Sequence, residues 1–360
     1  MCSEETRHPL PHATTFGGSG DPHMWEVTRA VRTWWENHGQ PEALCVALSG
    51  GADSLALTAG AIRTGAQVTA LIVDHQLQEG SADVAAHAAQ QARQLGCVDA
   101  RVITVTVTDS AKQGMEAAAR AVRYQALEQH RAGQPVLLGH TQDDQAETLL
   151  LGLVRGSGPR AIAGMREWDA PWGRPLLGVP RAVTRAACAE HGIDYWDDPH
   201  NEDPRFARVR IRHELLPLLR DIANADVTAA IARTAELVAQ DTDHLDAMAA
   251  TLLEQLAEKP VTETAAAALA QPAADLPTSL PTQDLSELPL PLLSRVLRSW
   301  VHSCGGADMA ELNYVQLQEL QRLVTDWSGQ GPVALPADNR VARRHNKLLF
   351  LPKNDEKLGK

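Results

Sequence analysis

The sequence predicts an α/β fold: a parallel sheet flanked by helices, then a mostly helical linker and a small C-terminal domain. Two observations carry this. Between residues 44 and 154, short apolar and β-branched runs alternate with helix-like stretches. That is the pattern of βαβ units, which wind right-handed around a parallel sheet. After Gly156 the texture changes. Pro159, Pro171, Pro175 and Pro180 punctuate a loop-rich stretch, and longer helical patterns follow it.

The elements follow in order. Residues 1–23 are rich in Pro, Gly, His and Thr, show no periodicity, and are expected to form a flexible tail. A helical pattern covers 26–38. The apolar run 44–48 is a buried strand, 53–64 a helix, and "VTALIVD" (68–74) a second strand. An Ala-rich helix over 81–95 stops at Gly96, a common helix terminator. A β-branched strand is expected over 102–107. A helix over 115–131 is ended by Gly133 and Pro135. Strand 136–139 and helix 143–154 complete the alternation. "TRAACAEHGIDYW" (184–196) reads as one more helix and strand, and helices are expected over 215–223, 227–253, 294–302 and 314–327. An Ala- and Pro-rich linker occupies 260–291. Residues 331–351 alternate like a β-hairpin around Asp338 and Asn339.

Bulk properties limit the function. The chain has 360 residues, enough for two domains, and 44% are hydrophobic. Lys plus Arg is 33 against 45 for Asp plus Glu, a net charge of −12. Any nucleic-acid site must therefore be a local basic patch. No apolar run approaches the ~18 residues of a membrane span, and no secretory signal opens the chain. Cys2, Cys45, Cys97, Cys188 and Cys304 form no CxxC pair, which fits a reducing cytoplasm.

The chemistry starts at "ALCVALSGGADSLAL" (43–57), where a strand breaks into Ser49, Gly50, Gly51, Ala52, Asp53 and Ser54 before a helix. Free N–H groups and the helix dipole favour an anion at such a turn. Glycines let the backbone approach it closely. The turn is not a Walker A loop, because no Lys lies between residues 49 and 64. For a lone SGG turn, Asp53 would serve as well as an ordinary helix cap; the full S-G-G-x-D-S after an apolar strand favours the anion site. The six residues resemble the SGGxDS signature of the PP-loop ATP pyrophosphatases. That resemblance implies a loop cradling pyrophosphate and an acid, Asp53, that helps hold Mg²⁺.

Further stretches narrow the family. "MEAAARAVRY" (115–124) puts Glu116 and Arg120 on one helix face, a spacing that also suits a solvated ion pair. In "LLGHTQDDQAETLLLGLVRGSG" (137–158) a strand ends at His140, and Asp144 and Glu147 open the next helix three apart. They would project from the end of the sheet that carries the glycine turn, where α/β ligands bind. Two acids there suit a metal or an ammonium group, or simply the helix dipole. With "RPLLGVPR" (174–181) and "DDPHNEDPRFARVRIRHELLPLL" (197–219), these segments resemble the tRNA(Ile)-lysidine synthetases from about residue 44 to 219. Two positions depart from that pattern: Val209 stands where the family usually has Asn, and Gln78 where it usually has a basic residue.

The resemblance implies a PP-loop ATP-binding catalytic domain over 24–221 and a helical linker with a small tRNA-contacting domain over 222–360. It implies ATP, Mg²⁺, free L-lysine and a tRNA(Ile) with a CAU anticodon. The family adenylates O2 of the wobble cytidine, and lysine then attacks C2 and expels AMP. Ser49, Gly50, Gly51, Ala52, Asp53 and Ser54 would bind ATP, with Asp74 and His140. Arg120 would take a phosphate, and Asp144 and Glu147 the lysine ammonium. Asp74 and His75 suit helix capping equally well. Arg205, Arg208, Arg210 and Arg212, four cations within eight residues, would bind tRNA. Arg155, Arg160, Arg340, Arg343, Arg344 and Lys347 add smaller basic clusters, and any one of these arginines could be a solvated surface charge. Three rivals stay open: a thiolase on the same loop, an amide-forming synthetase, and a non-catalytic nucleotide-binding module.

Overall fold

The computed structural model describes residues 21–78, 80–106, 115–156, 158–258, 278–305 and 312–353. The expectations for residues 1–20, Val107 and the linker over 260–277 lie outside these. The chain divides into two compact units, Met1–Ala239 and Gln240–Lys360.

The first unit runs α1 (Pro22–Asn37), β1 (Ala43–Ala47), α2 (Ala52–Ile62), β2 (Gln67–Asp74), α3 (Ser81–Leu95), β3 (Asp99–Thr104), α4 (Met115–His130), β4 (Val136–Leu138) and α5 (Gln142–Val154). Then come α6 (Pro159–Ile162), β5 (Trp168–Asp169), β6 (Trp172–Gly173) and α7 (Arg181–Glu190). α8 (Ala207–Arg210), a single π turn (Ile211–Leu215) and α9 (Leu216–Ala223) form one unbroken stretch. The sheet order is β3-β2-β1-β4-β6-β5, parallel except for β5 against β6.

Alternation along the strands fills both faces, as a buried parallel sheet requires. Leu44, Val46, Val68, Ala70 and Ile72 join the core that contains Met24, Val27 and Trp34 of α1 and Leu55 and Leu57 of α2. Cys45, Leu71, Val136 and Leu138 point the other way, to Leu127 of α4. A Cβ at Gly60 would meet Val27 and Val31 side-chain carbons at 3.1 and 3.2 Å, so glycine sets how closely α1 and α2 pack.

Two expectations change. The strand at the end of 184–196 does not form. Trp172–Gly173 takes the place beside β4 instead, and the 193–196 segment lies over the glycine turn, with Trp196 N donating to Gly50 O at 3.0 Å. The strand expected over 102–107 begins earlier, at Asp99, and ends at Thr104.

The division between the units falls inside α10 (Val227–Glu258). The second unit continues with β7 (Ser279–Pro281), α11 (Thr282–Ser286), α12 (Leu290–Gly305), α13 (Tyr314–Thr325), β8 (Val333–Ala334), β9 (Arg340–Arg344) and β10 (Lys347–Leu351). Its antiparallel sheet has the order β7-β10-β9-β8, and Trp300, Leu297, Leu320, Val341 and Leu348 build its core. The expected hairpin around Asp338 and Asn339 joins β8 to β9. A second turn at His345 and Asn346 joins β9 to β10, with φ of 45° and 59°. Left-handed pairs of this kind match the strand twist of a tight hairpin. In the basic cluster here, Arg343 Nη1 donates to Leu323 O at 2.9 Å and to Val324 O at 3.3 Å, closing the end of α13.

Candidate active site

The strand order places the ligand crevice. From β1 the chain steps outward to β2 and β3, then returns to the other side of β1 with β4. Ligands of open α/β sheets bind at the carboxyl ends of the strands, where the order reverses in this way. Here that point lies between β1, which leads into Ser49–Ser54, and β4, which leads into His140. A cavity of about 880 Å³ opens there. Ser49, Gly51, Ala52, Asp53, Ser54, Asp74, His140, Asp144, Arg120 and Arg212 all line it.

The turn is built to hold its shape. Gly50 has φ +84°, a conformation that favours glycine. Ser54 Oγ donates to Gly51 O at 2.9 Å and accepts from Ser49 N at 3.2 Å. A Cβ on Gly139 would sit 3.1 Å from the backbone of Asp53 and Ser54, so a bare backbone lets the end of β4 approach the loop.

Asp53 does not cap its helix. It lies in the first turn of α2, after Gly51 at the cap position. Its carboxylate instead accepts from Thr184 Oγ1 and faces Arg181 Nε at 3.5 Å. Burial pushes its carboxyl above the usual range, and Thr184 and Arg181 oppose that rise.

Asp144 caps its helix and also holds a cation of the protein itself. Oδ2 accepts from Thr141 N at 2.8 Å and from Thr141 Oγ1 at 2.9 Å, capping α5. Oδ1 accepts from Arg181 Nη2 at 2.6 Å. Burial disfavours its charge, but Arg181 and His140 more than offset this and hold it below the usual range. Glu147 lies beneath with its side chain 0% exposed. Its Oε1 accepts from Arg212 Nε at 2.8 Å and Arg181 Nη1 at 3.4 Å, and its Oε2 is buried with no hydrogen-bond partner.

Arg181 is therefore the hub of the site, joining Asp53, Asp144 and Glu147. Its backbone N also donates to Asp143 Oδ2 at 2.8 Å, so an acid on α5 caps α7. The sequence carried one signal for it. Arg181 is the first residue of α7, right after Pro180, where the helix dipole repels a cation. A cation placed there needs acids supplied by another element.

His140 sits at the cavity wall. Burial pulls its imidazole down from 6.5 to about 4, so it is neutral at physiological pH, and its Nδ1 is buried without a partner. His75 is pulled down by burial and by Arg123, whose Nε donates to His75 Nε2 at 3.3 Å. Asp74 Oδ1 accepts from Gln76 N at 2.9 Å, turning the chain after β2. Arg120 lies over the Tyr124 ring at 4.9 Å; its expected neighbour Glu116 has a side chain outside those described.

The four clustered arginines part company. Arg205 pairs with Asp203 at 2.6 Å and Arg210 with Glu214 at 2.8 Å, both at the surface. Arg208 turns inward and donates to Thr148 Oγ1 at 3.3 Å, while Arg212 enters the carboxylate group. Of the two departures, Val209 is buried, and Gln78 Nε2 donates to Asp198 Oδ1 at 3.2 Å on the cavity wall.

Comparison with known proteins adds the following. A PP-loop domain model matches residues 25–219, and a TilS substrate binding domain model matches residues 280–349. A protein of Rhodococcus jostii named tRNA(Ile)-lysidine synthase is 47% identical over 341 residues, covering 94% of this chain and 98% of its own. One of Mycobacterium bovis with the same name is 51% identical over 310 residues, covering 85% and 90%. Among solved structures, the U34-tRNA thiolase NcsA from Methanococcus maripaludis is 17% identical, with a TM-score of 0.48, covering 61% of this chain and 79% of its own.

Proposed function

The chain belongs to the tRNA(Ile)-lysidine synthase family, and on that premise we propose how its residues divide the work. The enzyme is an ATP-dependent ligase. O2 of the wobble cytidine of tRNA(Ile), in a CAU anticodon, attacks the α-phosphorus of ATP, and pyrophosphate leaves. The ε-amine of lysine then attacks C2, the ammonium having given up a proton, and AMP departs to leave lysidine.

In our reading, residues 24–221 carry this chemistry and residues 222–360 contact tRNA. The backbone N–H groups of Gly50 and Gly51 and the hydroxyls of Ser49 and Ser54 cradle the phosphates, donors set in advance against developing charge. Arg120 supplies a cation from across the cavity. Mg²⁺, held by Asp53 and the phosphates, would neutralise charge developing on the leaving pyrophosphate. It keeps several waters and takes only one or two carboxylates besides the nucleotide. Asp53 fits that demand as a single carboxylate beside a phosphate cradle, and among the described residues no cluster of acids, His or Cys forms a metal cage. Asp74 borders the adenosine, and neutral His140 lines the wall beside the nucleotide or the cytidine.

Asp144 and Glu147 hold the lysine ammonium and accept the proton it loses. Arg212 steadies Glu147. Arg205 and Arg210, at the surface, are placed to take tRNA phosphates.

The observation that carries the reading is the convergence of Asp53, Asp144 and Glu147 beside the glycine turn. A thiolase would need reactive sulfur there. Instead, burial pushes Cys45 to about 11 and Cys97 and Cys188 to about 12, and none of the three lines the cavity.

Two variants test the division of labour. Asp53→Ala should abolish tRNA-dependent pyrophosphate release. Asp144→Asn should still release pyrophosphate, raise the KM for lysine, and accumulate adenylated tRNA visible by nucleoside mass spectrometry. If Asp144→Asn fails before pyrophosphate release, Asp144 belongs to the nucleotide site.

A further inference from the structure

We propose that Arg181 is an exchangeable counter-ion that occupies the place of the lysine ammonium until nucleotide binds, so that lysine binding depends on ATP. The inference rests on reading Asp144 and Glu147 as the ammonium carboxylates.

The oxygens of this pair are nearly all spoken for. Asp144 Oδ2 is committed to Thr141, which leaves Oδ1 as its face for a ligand cation. Arg181 Nη2 holds that atom at 2.6 Å, and Nη1 reaches Glu147 Oε1 at 3.4 Å. An ammonium bridging both acids through these atoms would compete with the guanidinium for them. Glu147 Oε2 is also buried with no donor, a state that costs free energy. The site thus lacks one donor, and an ammonium brings three N–H groups.

The same guanidinium touches the nucleotide half of the cavity through Nε and Asp53 Oδ2 at 3.5 Å. Counting charges gives three carboxylates, Asp53, Asp144 and Glu147, against two cations, Arg181 and Arg212. That leaves the empty site at −1, so what keeps the ammonium out is the hold of the guanidinium on Oδ1 and Oε1 rather than surplus positive charge. Nucleotide reverses this. Its phosphates would draw the guanidinium toward the glycine turn, and Asp53 would exchange the guanidinium for Mg²⁺. Only the side chain of Arg181 has to swing, because its backbone N–H stays fixed on Asp143 and the side chain already borders the cavity. Two ligands acting on one movable group give a coupling that must be equal in both directions.

The test measures lysine binding to the full chain by equilibrium dialysis, with and without Mg²⁺ and a non-cleavable α,β-methylene ATP analogue. The wild type should bind lysine at least tenfold more tightly with the analogue, and lysine should tighten the analogue by the same factor. In Arg181→Gln the competitor is gone, so nucleotide-free lysine affinity should rise and the enhancement should vanish. If Arg181→Gln keeps the full enhancement, or loses lysine equally in both states, the proposal is overturned while the ammonium site stands. If Asp144→Asn binds lysine as the wild type does, the ammonium-site reading itself falls. Should Arg181→Gln fail to fold, Arg181→Lys keeps the charge but loses the two-pronged hold. It should shrink the enhancement severalfold, and an unchanged enhancement overturns the proposal.

Discussion

Arg205 and Arg210 differ from Arg208 and Arg212 in everything except sequence neighbourhood. The first pair lies at the surface on acids of its own segment, Asp203 and Glu214. The second pair turns toward α5, where Arg208 meets Thr148 and Arg212 meets Glu147. In the sequence the four form one basic cluster. In the fold they face two ways: Arg208 and Arg212, four apart, turn to the same side, Arg210 lies two residues from each, and Arg205 precedes α8 altogether. Charge density along a chain therefore reports composition. The direction each charge faces decides whether it meets a phosphate in solvent or an acid in the interior.

Substitutions can break or sharpen this contrast. The largest effect should come from Arg212→Ala, which removes a donor from a fully buried carboxylate. Breaking a buried pair costs about 3–5 kcal/mol. Here Arg181 remains and Arg212 is 27% exposed, so the loss should sit at or below the low end of that range. Lysine transfer should fall by about a hundredfold, the rate equivalent of about 2.7 kcal/mol, while the salt dependence of tRNA binding stays as it was. A flattened salt slope with normal lysine transfer would put Arg212 on the outward surface instead.

A smaller effect marks the inward side through pH. His140 titrates near 6.5 in the unfolded chain and near 4 in the fold. Between those values the unfolded state binds more protons, so stability falls as pH drops from 6.5 to 4 and levels off below that. The amplitude is on the order of 3 kcal/mol. His140→Gln should flatten that limb of the melting profile, and an unchanged profile would mean that another group supplies it.

The smallest change in stability should come from the outward pair. Arg205→Ala and Arg210→Ala should leave the melting temperature where it is, since exposed ion pairs contribute little. Each should reduce the salt slope of tRNA binding by roughly 0.7, the counterion release of one single-strand phosphate contact. A lowered melting temperature with an unchanged slope would make them structural pairs.

The same contrast shows how much of the molecule the sequence disclosed. The glycine turn was legible because its requirements are local: a positive φ at Gly50, hydroxyls within hydrogen-bond reach, and a strand before a helix. The alternating elements from β1 to α5 were legible through their periodicity. Arg181 carried no comparable signal, because its three partners lie 34 to 128 positions away and meet only when β1 and β4 become neighbours. The two-residue strands β5 and β6 are too short to show a period. The missing strand near 193–196 failed for a related reason: the residues are suitably apolar, but a partner elsewhere, Gly50 O, claims the backbone of Trp196. Near the C-terminus one turn of the small sheet was legible at Asp338 and Asn339. The other was missed because His345 and Asn346 lack the glycine that usually marks a left-handed pair.

The π turn at Ile211–Leu215 behaves like an inserted residue kept in place. An α-helix advances 100° per residue, and a wider turn lets the two flanking segments keep separate phases. Arg208 and Arg212 can then be set by α5 and its acids, while Leu216 is set by the apolar contacts it shares with Leu149, Leu150 and Ala235. Excising one residue there would give a more regular helix and a worse enzyme, because one of the two settings would have to rotate away. This stretch of chain is thus intolerant of changes in length even where it tolerates changes in side chain.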